Sequence, residues 1–164
     1  MNAMEQADAD TAALKERFLV RLRDFLGRVQ QWIAVDPRIA LRERTYEIDD
    51  PFGRYQAPGG QIVRDGRTIA ELVPEAGVVI AAEGRVNFVG ALDRLTILYL
   101  SGPGRFETTI AGARSLGRDL FPQFSEEGWY WLISSVGPDV RLVDDAAFRV
   151  MLATVSDFEL AART

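Results

Sequence analysis

Near the start of the chain, apolar residues recur at steps of three and four. They are Leu14, Phe18, Leu22, Phe25, Val29 and Trp32. This spacing matches one face of an α-helix, so it predicts an amphipathic helix of roughly six turns. Asp10 or Thr11 is expected to cap its start, and Pro37 is expected to end it. Residues 1–10 are then predicted to be a disordered leader to a single domain, residues 11–160.

The pattern changes in the middle of the chain to short β-rich runs separated by turn residues. Asp65-Gly66 separates two such runs and predicts a type I′ hairpin, because both residues tolerate φ > 0. A second hairpin is predicted at Glu83-Gly84, between strands at residues 78–82 and 85–89. Residues 94–100 are apolar on both sides and are predicted to form a central strand that is covered on both faces.

Further elements are predicted on either side of this antiparallel meander. Strands are predicted at residues 41–49, 105–110, 128–135 and 140–143. A turn is predicted at residues 49–53, a loose connection at 55–60, and a short helix and loop at 111–128. Asp144 is expected to cap a closing helix with apolar positions such as Phe148 and Met151. The fold class is therefore α+β: a meander of about six to eight strands, with a long N-terminal helix and a C-terminal helix packed on it.

The composition excludes several kinds of chemistry. The chain has neither cysteine nor histidine. Disulfides, thiolate catalysis and zinc–thiolate sites are therefore impossible, and the commonest general base is missing. No serine has an imidazole to activate it, and the only lysine, Lys15, is expected on the solvent face of the first helix. We expect a non-enzymatic protein with no catalytic residue and no cofactor.

Carboxylates are the remaining acid–base candidates. They form three adjacent pairs: Asp49-Asp50, Glu126-Glu127 and Asp144-Asp145. Adjacent residues on a strand point to opposite faces, so none of these pairs is a ready acid–base dyad. The chain also lacks the spaced oxygen ligands of a calcium loop, so no metal ligand is predicted.

The net charge indicates which partners are compatible with the chain. Lysine and arginine number 19 and aspartate and glutamate 24, which gives a formal charge of −5. This acidity argues against binding to nucleic acid, which depends on neutralising phosphates. It is compatible with a basic protein partner. The N-terminus has no features of a secretory signal, and no apolar run approaches the ~20 residues of a membrane span, so a cytoplasmic protein is expected.

An aromatic cluster, Trp129-Tyr130-Trp131, is the best candidate for recognition, because Trp and Tyr concentrate at interface hot spots. An alternative is that Trp129 and Trp131 pack in the core under the first helix, which would leave Tyr130 displayed on the other face. The candidate partner-binding residues are Trp129, Tyr130, Trp131, Tyr55, Asp49, Asp50, Glu126 and Glu127.

Three segments resemble small uncharacterised bacterial α+β proteins. The segments are Phe52-Gly-Arg-Tyr-Gln-Ala-Pro58, Leu72-Val-Pro74 and Ala82-Glu-Gly-Arg-Val-Asn87. The likeness rests on a Gly-x-Tyr-x-x-Pro turn and a Gly-Arg-Val turn, and it covers about a quarter of the chain. This chain departs from the pattern in having Asn87 where Asp is expected and Ala82 in place of a glycine-led turn. The resemblance implies a similar type of fold, and it implies no activity.

These observations favour a non-enzymatic, acidic protein-binding module, of which an immunity-type protein that neutralises a bacterial toxin is one form. One alternative is a homodimer that resembles secretion chaperones. Another is an enzyme or small-ligand binder built from carboxylates and arginines.

Overall fold

The computed structural model describes residues 2–79, 81–106, 109–110, 113–114, 118–134, 136 and 139–161. The helices are α1 (Ala3–Ile33) and α2 (Asp145–Ser156). The longer strands are β1 (Ile39–Asp50), β2 (Gly53–Arg64), β3 (Arg67–Ala76), β4 (Arg85–Gly90), β5 (Arg94–Leu100), β10 (Gly128–Ser134) and β11 (Asp139–Leu142). Between β5 and β10 the described residues form four two-residue strands: β6 (Arg105–Phe106), β7 (Thr109–Ile110), β8 (Ala113–Arg114) and β9 (Arg118–Asp119).

The longer strands form one seven-stranded antiparallel sheet in the order β1-β2-β3-β4-β5-β10-β11. We call the face covered by both helices the inner face, and the opposite face the outer face. This arrangement confirms the predicted α+β fold. The short strands pair among themselves, β6 with β9 and β7 with β8.

The main core lies between the helices and the inner face. Phe148 of α2 stacks on Phe88 of β4 with ring centroids 5.3 Å apart, and Trp32 of α1 lies 5.6 Å from Phe148. The fifth strand, β5, is buried on both sides, as predicted. Its Ile97 belongs to this inner core, whereas Leu98 belongs to a smaller cluster on the outer face.

The strand boundaries differ from the prediction around two prolines. Pro58 lies within β2, so the predicted loose connection is wrong. Pro74 lies within β3 beside an irregularity in the pairing with β4, a position that does not require an N–H donor. The strand predicted at residues 78–82 and its hairpin with residues 85–89 are also wrong, because β4 pairs with β3 and Val79 and Ala82 form an isolated bridge; residue 80 lies outside the described residues. The predicted Asp65-Gly66 hairpin is confirmed, since φ is 50° at Asp65 and 76° at Gly66.

The first helix begins earlier than predicted. Asn2 caps it: the side-chain oxygen accepts from the backbone N–H of Glu5 at 2.8 Å, and the Glu5 carboxylate accepts from the N–H of Asn2 at 3.1 Å. This reciprocal pair is a capping box, which satisfies two free donors. The predicted cap at Asp10 or Thr11 is therefore wrong, and residues 3–10 of the predicted leader are helical and exposed.

The helix predicted within residues 111–128 is also wrong where the structure describes the chain. Ala113–Arg114 and Arg118–Asp119 are strands, whereas residues 111–112 and 115–117 lie outside the described residues. The loop that follows packs Phe121 into the outer cluster.

The hairpin of β1 and β2 is strongly twisted. Ile39 and Ile48 of β1 are an odd number of residues apart, yet both belong to the inner core. The twist brings Tyr46 over Gly59, and its hydroxyl donates to Glu71 of β3 at 3.0 Å. The ring thus covers a backbone position that has no side chain of its own, and a larger residue at Gly59 would collide with it.

A buried carboxylate ties the C-terminal tail to the connection between α1 and β1. The Asp36 side chain is fully buried and accepts from the Arg38 guanidinium at 2.6 and 2.9 Å. It also accepts from the backbone N–H groups of Arg38 and Ala161, each at 3.0 Å. The hydrogen bonds from the Arg38 side chain hold the pKa of Asp36 well below its ordinary value, although burial opposes the shift.

Within the described part of the chain, no helix combines the length and the apolar character that crossing a membrane requires.

Candidate functional site

An acidic groove lies where α1, the loop before β10 and the connection between β11 and α2 meet. It encloses a volume of about 190 Å³. Its floor includes four apolar side chains: Phe25, Trp32, Trp129 and Leu142. Its rim carries four carboxylates and one guanidinium: Glu126, Glu127, Asp144, Asp145 and Arg28.

The floor forms because two elements present aromatic residues to each other. Phe25 and Trp32 are seven residues apart, so they lie on one face of α1, with ring centroids 6.4 Å apart in an edge-on arrangement. Trp129 of β10 packs 5.4 Å from Phe25, and its indole N–H donates to the carbonyl of Arg21 at 3.3 Å. The alternative reading of the aromatic cluster is thus confirmed, because Trp129 and the partly buried Trp131 pack against the inner core.

Three of the rim carboxylates have partners within the chain. Asp144 caps α2 by accepting from the N–H of Ala147 at 2.8 Å, as predicted. Asp145 accepts from the Arg149 guanidinium at 3.0 Å. The carboxylate of Glu126, by contrast, has no partner among the described residues.

The carboxylate of Glu127 is fixed by Arg21 of α1. The Arg21 guanidinium lies 3.0 Å from both Glu127 and Glu83, so it joins the loops before β10 and β4 to the helix. It also lies 4.0 Å from the centre of the Tyr99 ring, and the Tyr99 hydroxyl donates to Glu127 at 2.8 Å. Burial, followed by this hydrogen bond, raises the pKa of Tyr99 to about 12. Arg21 therefore combines charge-assisted hydrogen bonds with a cation–π contact.

Replacing Arg21 by alanine is expected to lower the free energy of unfolding by about 1 to 2 kcal/mol, because both ion pairs are lost. The loss stays modest because both glutamates are half-exposed and water can solvate them. Urea denaturation would measure the change. The matched control is Arg23→Ala. It removes an exposed arginine whose acidic neighbour, Glu16, is also exposed and lies farther away, at 3.7 Å. Equal effects of the two variants would contradict a stabilising role for Arg21.

Tyr130 is not displayed on the surface, so that expectation is wrong. It points to the outer face, where it is 1% exposed. Its hydroxyl donates to the Glu126 carbonyl at 2.7 Å and accepts from the N–H groups of Ser125 and Glu126, each at 3.1 Å. Tyr130 thus holds the backbone of the loop that carries two of the rim carboxylates.

The other predicted site residues lie at the tip of the β1–β2 hairpin and do not line the acidic groove. Asp50 accepts from the Tyr55 hydroxyl at 2.7 Å and from the N–H of Gly77 at 2.8 Å. Burial and this hydrogen bond raise the pKa of Tyr55. Asp49 is exposed and lies 3.5 Å from Arg54. These contacts give the residues structural roles, and binding of a partner through them stays a prediction.

Sequence reasoning did not assign Phe25, Trp32 or the Asp144-Asp145 pair to a site. The helical spacing placed both aromatic residues on the buried face of α1, and Asp144 was expected only as a cap. Their convergence with Glu126 and Glu127 depends on the pairing of β5 with β10, a contact between segments distant in sequence. No local signal in the sequence encodes it.

Among the residues that the structure describes, no three acidic side chains converge as a metal ion would require. A scan of protein-family models and searches of curated proteins and of solved structures found no match to this chain. Function is therefore inferred from the geometry of the molecule itself.

Proposed function

We propose that this chain is a non-enzymatic protein-binding module that uses the acidic groove to bind a basic segment of another protein. The observation that carries the proposal is the combination of four carboxylates and an aromatic floor on one small surface. Arg28 is the arginine that lines the groove, and it lies 3.6 Å from its own carboxylate neighbour, Asp24. Arg21 and Arg149 pair with Glu127 and Asp145 and offset part of the charge.

An arginine-bearing segment fits this chemistry best. A guanidinium can lie against an aromatic face and can donate two parallel hydrogen bonds to one carboxylate. The net charge of −5 would also attract a basic partner over a longer range, which accelerates association more than it raises affinity. Affinity would then come mainly from contact with Trp32, the partly exposed ring of the floor, because Phe25 and Trp129 are almost fully buried.

Existing contacts in the groove favour binding over catalysis. Asp144 is engaged as a helix cap, and Asp145 and Glu127 are engaged by arginines. Binding needs only the outer lone pairs of these carboxylates, whereas acid–base catalysis needs one of them to exchange its proton with a substrate. A basic toxin neutralised by an immunity-type protein is one partner of this kind. A cytoplasmic location and a bacterial source stay predictions.

The experiment is affinity capture with the wild-type chain and two charge-reversed variants, at low and at high salt. Glu126→Lys changes a rim carboxylate that has no side-chain partner among the described residues, so the fold should be unaffected. We expect the affinity of the variant for a captured basic protein to fall roughly tenfold or more, because the new lysine replaces attraction to the partner by repulsion. Asp8→Lys makes the same change of charge on the exposed start of α1 and should retain the partner.

The native tryptophans provide a second measurement. Trp32 and Trp129 line the floor, so their fluorescence should change on titration with the purified partner. Capture of no basic protein, or equal binding by the wild-type chain and Glu126→Lys, would contradict the proposal.

A further inference from the structure

Strand β1 forms one edge of the sheet, and its outer side carries unpaired backbone groups. A two-residue turn joins the paired residues Asp50 and Gly53, and such turns close on a hydrogen-bonded pair. Hydrogen-bonded and non-hydrogen-bonded pairs then alternate along the hairpin. The N–H and C=O groups that point away from β2 therefore belong to the odd-numbered residues: Leu41, Glu43, Thr45 and Glu47. No hydrogen bond from another described segment reaches them.

The middle of this edge is open on both faces of the sheet. Four consecutive residues, Arg42, Glu43, Arg44 and Thr45, are exposed, so neither helix covers the strand there. Arg44 donates to Gln61 of β2 at 3.1 Å. Arg42 and Glu43 have no ion-pair partner among the described residues. The outward backbone groups and the side chains of Arg42 and Glu43 are thus free to meet another chain.

The charge order of the edge disfavours pairing with a second copy of this chain. Two identical strands related by a two-fold axis pair antiparallel about one central residue. A centre at Arg42, Glu43 or Arg44 sets that charge directly against its own copy. A centre at Thr45 sets Glu43 against Glu47. Like charges directly opposite each other destabilise a strand pair, so each of these registers is penalised.

We propose that β1 accepts an extended segment of a different protein as an additional antiparallel strand. The fitting segment has the reverse charge order, with acidic residues opposite Arg42 and Arg44 and basic residues opposite Glu43 and Glu47. Main-chain hydrogen bonds to the four outward residues supply affinity, and the cross-strand charge pairs supply specificity. This surface goes beyond the proposed function and does not depend on the acidic groove.

Two peptides of identical composition and net charge test this inference. The complementary peptide, Val-Lys-Val-Thr-Glu-Lys-Glu-Val, pairs antiparallel with residues 41–48. The control peptide, Val-Glu-Val-Thr-Lys-Glu-Lys-Val, exchanges the two signs. Both would be titrated into the whole protein and followed by amide chemical shifts and amide hydrogen exchange. We expect the complementary peptide to slow exchange at Glu43 and Thr45 by roughly tenfold or more, and to bind roughly tenfold more tightly than the control.

Two variants separate backbone pairing from simple charge attraction. Glu43→Pro removes an outward N–H and leaves the bonds to β2 in place, so it should abolish binding. The double variant Arg42→Glu and Arg44→Glu keeps every backbone group and should abolish the preference, because each peptide then faces two opposite and two like charges. This second variant keeps the test decisive if the proline variant does not fold.

Several results would overturn the inference. They are absence of binding, equal binding of the two peptides, an unchanged preference in the double variant, and a self-association of the wild-type chain that Glu43→Pro abolishes. Glu126→Lys leaves β1 untouched and should bind the complementary peptide as the wild-type chain does. A failure at the acidic groove is thereby distinguished from a failure at this edge.

Discussion

Replacing Phe148 by alanine is expected to lower the free energy of unfolding by about 3 to 5 kcal/mol, the largest effect of any substitution considered for this chain. Phe148 is fully buried and joins three elements, because its ring stacks on Phe88 of the sheet and packs against Trp32 of α1. Truncation removes the apolar area and leaves a cavity that the surrounding sheet and helices fill only partly. The affinity of the acidic groove for a partner should fall as well, since Trp32 forms part of its floor.

Urea denaturation followed by circular dichroism would measure this loss as a lower midpoint with an unchanged slope. Val150→Ala is the matched control, because it truncates an exposed residue of the same helix. A change of less than about 1 kcal/mol for Phe148→Ala, as is usual for surface substitutions, would show that α2 does not pack on the sheet as described.

Replacing Asp36 by asparagine is expected to lower the free energy of unfolding by about 2 kcal/mol at neutral pH. Asparagine keeps the shape and one acceptor oxygen, but it loses the charge that faces the Arg38 guanidinium and cannot accept from every donor around it. For a chain of this length the melting temperature should fall by about 4 to 8 °C. Asp24→Asn, an exposed carboxylate on α1, is the control and should have little effect.

The effect of Asp36 should depend on pH in a defined direction. Its folded-state pKa is held well below the ordinary value of 3.8 that applies to the unfolded chain. The unfolded chain therefore binds the proton first on acidification. The carboxylate contributes its full stabilisation above about pH 5, and this contribution declines as the pH falls through and below the unfolded value. The difference between the wild-type chain and Asp36→Asn should shrink accordingly, and a constant difference from pH 7 to pH 2 would contradict the assignment.

Patterns carried by single elements predicted the architecture well. The apolar stripe of α1, the Asp65-Gly66 turn and the Asp144 cap each follow from local chemistry, and each is present in the structure. The capping box of Asn2 and Glu5 also has a sequence signature, an Asn followed by Glu at the third position. The stronger apolar periodicity further along the helix led the prediction to start it too late.

Features that depend on distant contacts were not predictable. Pro58 and Pro74 interrupt a strand pattern locally, yet each occupies a position where the ladder needs no donor. Tyr130 was expected on the surface because alternation along the strand placed it on the face opposite Trp129 and Trp131, whereas the loop bearing Phe121 covers that face. The groove itself requires α1, the loop before β10 and the start of α2 to meet, which only the strand order determines.

The corner that bears Glu126 and Glu127 is held from both sides of the sheet, by the Tyr130 hydroxyl beneath its backbone and by Arg21 on the carboxylate of Glu127. This corner is thus preorganised, so an incoming ligand loses little free energy in ordering it. Loosening it, for example by Tyr130→Phe, should weaken association through entropy even though the substituted atom never touches the ligand.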